Sequence, residues 1–318
     1  MSIVNYLLSS FSIGIIFLLG ATGEIITEKV GHLNLGIPGV MSVGAAGGCV
    51  MLQLLYGHNV PGAIVVILAL IACVISGGLM GLLYSFLTVT LRSNQNVTGL
   101  ALTTFGVGLT KFIMSRLTRI GSHEYLYALD YFRAPFSGVT NSLKYCGVMT
   151  FIALILALGT SYFLYRTKYG LNLRAIGESA ATADAVGINV SKYKYAATTL
   201  GSGIAGLGGL YYIMDYAGSQ EAYLSIEALG WLSVALVIFS LWKPHICIIG
   251  SFVFGLLYIA NAYASSILGV QLPMSMTPLI KLLPYVFTVI VLILTSIRKK
   301  RENQPPAGLG INYFREER

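Results

Sequence analysis

An all-α polytopic membrane protein with about nine transmembrane helices, eight to ten being compatible with the apolar runs, is the fold class this sequence predicts. Three observations lead there. The 318 residues are 56% hydrophobic and only 10% charged, with a mean hydropathy of +0.77, whereas soluble domains carry about 25% charged residues. Several runs reach the roughly 20 apolar residues that cross a hydrocarbon core about 30 Å thick, where a helix satisfies its own backbone. The basic residues behind the net charge of +8 lie in loops and at the C-terminus, so they orient the chain rather than mark a nucleic-acid surface.

The first span is read at Tyr6 to Gly23, ended by the polar stretch 23–32. No basic n-region or small-residue cleavage site precedes it, so no cleaved leader is expected. A second span, Leu35 to Tyr56, is dense in Gly36, Gly39, Gly44, Gly47 and Gly48, the small residues that let helices approach closely in lipid, and is expected to be central. Val60 to Leu91 is about 30 residues long and is counted as one span that tilts, projects or bends near Gly77 and Gly78. The fourth span covers Val97 to Leu117, and an irregular excursion, residues 118–143, leads to a fifth at Tyr145 to Tyr165. Spans follow at Tyr195 to Tyr216, Leu229 to Trp242, His245 to Ser265 and Thr277 to Ile297. The seventh, about 14 residues before Lys243-Pro244, is short enough to suggest a half-helix or a tightly reversed pair. Residues 1–297 thus form one transmembrane domain, and 298–318 a tail too polar to pack a core.

The largest internal polar loop is 166–194, with Arg166, Lys168, Arg174, Lys192 and Lys194 against Glu178 and Asp184. Its alanine-rich middle, Glu178 to Val186, predicts a short helix, with Glu178 and Ser179 at its start and Gly187 in the left-handed conformation that ends it. From composition alone this is either a docking element or a solvated loop with a helical turn. Four spans separate it from the basic cluster 298–301, so both fall on the cytoplasmic side. The N-terminus is then extracellular, as is the excursion with Arg119, Arg133 and Lys144, which fits the charge rule poorly.

Leu33-Asn-Leu-Gly-Ile-Pro-Gly-Val-Met-Ser-Val-Gly and Leu224-Ser-Ile-Glu-Ala-Leu-Gly-Trp-Leu-Ser-Val-Ala share a Leu, an aliphatic residue, a Gly and a Ser-Val pair at one spacing. Starting from opposite sides, they read either as an inverted repeat flanking a pathway or as a chance match of two Gly-rich helix starts.

Enzyme chemistry finds no support. The phosphate-loop, nucleophile-elbow and His-Glu-x-x-His motifs are absent from the sequence. Cys49, Cys73, Cys146 and Cys247 are scattered and read as small buried side chains. His32, His58, His123 and His245 sit at or near span ends and read as solvated interfacial groups. Ionisable residues inside the apolar runs are nearly absent; Lys111 and Lys281 are near enough to span ends to snorkel. That scarcity argues against an ion-coupled carrier working alone, and energy is expected from a partner. The polar candidates for a pathway are Asn34, Gln95, Asn96, Thr98, Thr103, Thr104 and Asn261, with Phe105 beside them. Amides and hydroxyls near aromatics suit a neutral polar ring compound, and each equally suits an interhelical hydrogen bond.

Three motifs carry a family resemblance. The stretch Gly23-Glu-Ile-Ile-Thr-Glu-Lys-Val-Gly-His-Leu-Asn-Leu-Gly-Ile-Pro-Gly resembles the first signature of the ABC-importer permeases that include the branched-chain amino acid, ribose and nucleoside systems, and looks most like the nucleoside subgroup. Gly170-Leu-Asn-Leu-Arg-Ala-Ile-Gly-Glu-Ser-Ala-Ala-Thr-Ala-Asp-Ala-Val-Gly resembles that family's cytoplasmic coupling loop, and Ala228-Leu-Gly-Trp-Leu-Ser-Val-Ala through Lys243-Pro its late membrane signature. Two departures concern substrate detail: Ala101-Leu-Thr-Thr-Phe where relatives often have Ala-Leu-Asn, and Gly-Trp-Leu where Gly-Phe-Ile is common.

The resemblance implies a permease subunit of the bacterial plasma membrane that translocates nucleosides. Its implied partners are a second homologous permease as a heterodimer, ATP-binding subunits and an extracellular substrate-binding lipoprotein. No cofactor is implied in this chain; ATP and Mg would sit on the partner ATPase. The coupling role carries over to Gly170, Arg174, Gly177, Glu178, Asp184 and Gly187. A sugar or branched-chain amino acid permease is the alternative, and a non-transporting scaffold would leave the repeat unexplained.

Overall fold

The structure, a computed structural model, describes residues 2–56, 58, 60–119, 147–268, 276–298 and 304–314. Most of the expected excursion, with His123, Arg133, Lys144 and Cys146, lies outside these residues. The described residues contain no strand. They form helices α1 (Ser2–Lys29), α2 (Ile37–Leu55), α3 (Gly62–Ser85), α4 (Gln95–Arg119), α5 (Val148–Arg166) and α6 (Lys168–Glu178). The chain continues through α7 (Ala180–Ala185), α8 (Val190–Tyr211), α9 (Ile226–Phe239), α10 (Pro244–Leu268), α11 (Thr277–Lys281) and α12 (Leu283–Arg298).

Each predicted span has a helix, and six helical stretches are long and apolar enough to cross a membrane by length and composition. Several boundaries differ from expectation. The first helix does not stop at Gly23 but runs to Lys29, because Glu24 and Glu28 find polar partners inside the bundle and the break falls at 30–36 instead. The long third run continues as α-helix through Gly77 and Gly78, and its irregularity is a π turn at Phe86–Thr90. The seventh span is not a half-helix: a 3-10 segment, Gln220–Ser225, leads into α9 and brings the apolar stretch to 20 residues. The tight reversal expected after it is present, with Leu241 and Trp242 at φ of 55° and 56° between α9 and α10. The ninth span divides at Leu282 into α11 and α12.

Packing contacts fix the helix directions. Helix α8 lies antiparallel to α1, with Gly201 against Gly23 and Tyr211 against Ser12, and antiparallel to α3, with Gly203 against Val74 and Gly81 against Thr198. Helix α2 runs parallel to α4, Gly36 meeting Gly99 and Gly39 meeting Leu102 and Thr103. Helix α9 starts at the other end, where Gln220 Nε2 donates to the Met114 carbonyl of α4 at 3.2 Å, and finishes beside Glu28 near the end of α1. The two copies of the repeated motif therefore open helices that run in opposite directions, as an inverted repeat requires.

As expected, α2 is central: 72% of its apolar window is buried, the largest share among the six spans. Helix α8 shares that position, although its lower hydropathy conceals it, because Gly201, Gly203, Gly206, Gly208 and Gly209 bring neighbouring backbones into contact. A Cβ on Gly209 would stand 2.1 Å from the Met41 carbonyl oxygen. Gly209→Ala is accordingly expected to part α2 from α8 and to destabilise by about 1–3 kcal/mol, read as a lower thermal midpoint of the detergent-solubilised protein.

Candidate functional site

The linker 30–36 between α1 and α2 is buried yet not helical for most of its length, so side chains must satisfy its backbone. Leu33 N donates to Gln95 Oε1 at 2.8 Å, and the Leu33 carbonyl accepts from the Tyr84 hydroxyl at 2.7 Å. Asn34 N donates to Glu24 Oε1 at 3.3 Å, while Asn34 Oδ1 accepts from Gly36 N at 2.9 Å. Thr103 Oγ1 donates to the Leu35 carbonyl at 2.8 Å. Side chains from α1, α3 and α4 thereby hold the start of α2 in place. Asn34 Nδ2 and Glu24 Oε2 are buried with no partner among the described residues, which leaves polar capacity at the junction.

Around this linker lie groups that the sequence did not single out. Glu24 and Glu28 are 0% and 3% exposed, which corrects the expectation that ionisable residues are nearly absent from the apolar core. They follow from the continuation of α1: four residues apart, they share one helical face. The Trp242 indole Nε1 donates to Glu28 Oε2. His32 is buried, not solvated, with Nδ1 2.8 Å from Thr198 Oγ1. Burial, and after it the charge of Lys194, hold its imidazole well below the ordinary range, so the ring is neutral. His58 and His245 are exposed as expected.

The predicted pathway residues fall into two groups. Asn34, Gln95 and Thr103 converge on the linker, and Thr98 is buried nearby, where its hydroxyl donates to the Asn94 carbonyl at 2.8 Å. Asn96, Thr104 and Phe105 face outward from α4, Phe105 being 53% exposed, and the Thr104 hydroxyl merely donates to the Leu100 carbonyl at 3.2 Å. Asn261 belongs to α10, and its side chain lies outside the described residues. Cys49, Cys73 and Cys247 are buried and unbridged, and the described residues hold no cluster of metal-ligand spacing.

Beyond this junction, at the same end of the bundle, lies the polar loop. Instead of one helix from Glu178 to Val186 it forms two, and Glu178 closes α6 rather than opening the next helix. The break falls at Ser179, whose extended backbone and Oγ, accepting from Thr182 N at 3.3 Å, start α7. Thr167 caps α6 in the same way, accepting from Gly170 N at 3.0 Å. Gly187 has the predicted left-handed conformation, φ +85°, and Ile188 N donates to the Ala183 carbonyl at 3.0 Å. Leu173, Ile176 and Ala183 face the bundle, while Val186 is 71% exposed at the tip. Arg174 lies with its guanidinium 5.0 Å above the Tyr165 ring.

The tail, too polar to pack a core of its own, folds back over this surface. Gly308 N donates to the Gly177 carbonyl at 2.8 Å, and Gly310 N to the Gly31 carbonyl at 3.2 Å. Asn312 accepts from Gln95 Nε2 at 2.9 Å and donates to the Arg92 carbonyl at 3.0 Å. The Tyr313 hydroxyl donates to Asp184 Oδ2 at 2.8 Å. Gly177 is required there because a Cβ would stand 2.2 Å from the Lys29 carbonyl oxygen. A segment too polar for a core can still latch other elements together, since its own backbone supplies the bonds. Deleting residues 304–318 is expected to leave insertion intact, to speed hydrogen exchange of the α6–α7 amides and to lower transport several-fold.

These features can be set against known proteins. Residues 6–295 match the family described as branched-chain amino acid transport system / permease component. The chain belongs to that family. This permease relative is 29% identical to a nucleoside ABC transporter permease of Lactococcus lactis, over 92% of its own length and 91% of the other chain. It is 27% identical to a guanosine ABC transporter permease of Bacillus subtilis, covering 95% and 93% of the two chains. A Haloferax volcanii protein named for a glucose ABC transporter permease role is 30% identical over 95% and 94%. No solved structure matches the chain significantly. Family membership makes it a multi-pass transport subunit rather than an enzyme.

Proposed function

We propose that this permease is the nucleoside-translocating subunit of an ATP-driven importer. It pairs with a second, homologous permease as a heterodimer in the bacterial plasma membrane, and receives substrate from an extracellular binding lipoprotein. ATP-binding subunits, which hold the ATP and Mg, dock on α6–α7 at the cytoplasmic end, where the C-terminus also lies; the N-terminus is extracellular. The observation that carries this reading is the pair of short helices held against α1 and the tail, with an apolar tip left uncovered at Val186. Gly170, Arg174, Gly177, Glu178, Asp184 and Gly187 all belong to this pair or its ends.

In this account, movement of α6–α7 reaches the linker directly through Gly177 against Lys29 and through the tail between Gly177, Gly31 and Gln95. Two arrangements of that junction, stabilised differently by the partner's ATP cycle, expose the pathway to one side and then the other. Asn96, Thr104 and Phe105, facing outward from α4, would line a route shared with the second permease, and Asn34, Gln95, Thr103 and Asn261 complete the polar set. The relatives named for nucleoside and guanosine transport support the substrate class.

A sugar is the second reading, favoured by the relative named for glucose, and the family description keeps a branched-chain amino acid as a third. Competition of unlabelled guanosine, adenosine, glucose, ribose and leucine against labelled adenosine uptake, in cells with and without this chain, decides among them. Chain-dependent uptake blocked by nucleosides alone is expected. Absence of chain-dependent adenosine uptake, with uptake of labelled glucose or leucine instead, overturns the nucleoside assignment.

A further inference from the structure

Lys194, one turn into α8, is 4% exposed. Its ammonium shows neither a hydrogen bond nor an ion pair among the described residues, and its charge helps to keep the nearby His32 ring neutral. It lines a cleft of about 440 Å³ beneath the coupling helices, and a smaller one, about 250 Å³, on the other side of Tyr313. Two carboxylates share its surroundings, Asp184 in the larger of the two clefts it lines and Glu178 in the smaller.

The larger cleft is walled by Arg92, Asp184, Asn189, Val190, Ser191 and Tyr313, among others. The first N–H groups of a helix have no partner within it. Asn189 Oδ1 accepts from Lys192 N at 3.0 Å, which leaves those of Val190 and Ser191 at the cleft wall. The positive end of the α8 dipole, the Lys194 ammonium and the Arg92 guanidinium therefore border one space. Asp184, the carboxylate in the same wall, already accepts from the Tyr313 hydroxyl. Arg92 also lies 5.0 Å over the Phe314 ring, which fixes it at the rim.

We propose that this cleft binds a phosphate group with no cationic substituent, carried either by an anionic phospholipid headgroup or by a small phosphorylated solute. N–H donors of a helix N-terminus and a lysine ammonium lining one cleft match the several acceptor oxygens of phosphate. The volume exceeds that of a single small ion and leaves room for the moiety that bears the phosphate. Because the wall is built jointly from the α3–α4 elbow, the loop after α7, the start of α8 and the tail, an occupant would tie all four together.

Thermal unfolding of the full-length chain, purified in a neutral detergent, tests this with inorganic phosphate as probe. The same measurement in nanodiscs of phosphatidylcholine with or without phosphatidylglycerol tests the lipid source. A ligand that binds only the folded state raises the midpoint saturably. A rise with inorganic phosphate, matched for ionic strength against chloride, assigns the cleft to a phosphorylated solute; a rise with phosphatidylglycerol alone assigns it to a headgroup. In either case Lys194→Met should abolish the rise and Lys194→Arg should retain it. Ser191→Glu, an exposed substitution that suits a helix N-terminus and places a carboxylate at the mouth, should abolish it as well, which keeps the test valid if Lys194→Met fails to fold. No rise with either probe, or an equal rise in the wild type and Ser191→Glu, overturns the proposal.

Discussion

Replacing Val186 by arginine is expected to abolish ATP-driven uptake while the chain still folds and inserts. Val186 is the C-cap of α7 and is 71% exposed, so little packing is lost, and such a surface change costs within about 0.5 kcal/mol of stability. If the tip of α7 is seated in a partner, the same change puts an unpaired charge at the centre of the contact. Loss at a central interface position costs roughly 2–4 kcal/mol, and each ~1.4 kcal/mol is tenfold in affinity. Uptake by the reconstituted complex should fall by more than roughly an order of magnitude. Gel-filtration behaviour of the isolated chain should be unchanged. Glu178→Arg is a less discriminating probe, because Glu178 shares a cleft with Lys29, Arg174 and Lys243, and a fourth cation there disturbs the chain's own electrostatics.

Trp242→Phe carries the second large effect, on stability and on the junction at once. It removes the indole donor from the buried Glu28 carboxyl group at a site where water cannot replace it. A hydrogen bond to a charged group is worth about 1.5–3 kcal/mol, and an acceptor left buried without its donor costs more than one removed together with it. Trp242→Phe should therefore lower the thermal midpoint more than Trp242→Phe does when Glu28→Met has already removed the acceptor. The double-mutant cycle should return a coupling of about 1–3 kcal/mol. Additive effects would mean that the pair is not coupled. Since Trp242 closes the α9–α10 reversal at φ 56°, the same cycle reads how firmly α9 is anchored to α1.

The helices were legible in the sequence because apolar length dominates in lipid: all nine spans have counterparts, and the Gly-rich second span lies in the centre as its small residues required. The direction of the repeat followed from charge parity. What escaped was polar chemistry inside the bundle. Glu24 and Glu28 read as a break between spans because polarity along the chain does not reveal that the Asn34 backbone amide and the Trp242 indole, the latter 214 positions from Glu28, supply their partners. Their spacing of four was the available signal. Lys194 closed a basic loop in sequence yet is buried in space. The tail's contacts are hidden for a related reason, since composition rules out a core but not backbone hydrogen bonds to Gly177 and Gly31. Among the candidates, Asn34, Gln95 and Thr103 came together because the α1–α2 linker gathers them, whereas Asn96, Thr104 and Phe105 are exposed on α4.

Docking of α6–α7 on an ATP-binding partner is the claim on which the transport account rests, and site-specific photocrosslinking tests it most directly. A benzophenone reagent on Val186→Cys is compared with one on Leu224→Cys, which is 59% exposed at the opposite end of the bundle; the native cysteines among the described residues are buried. In the assembled complex the Val186 probe should label the ATP-binding subunit, with a yield that changes when ATP is added, and the Leu224 probe should not. Labelling of the ATP-binding subunit from Leu224, or none from Val186 in a complex that transports, would contradict the account.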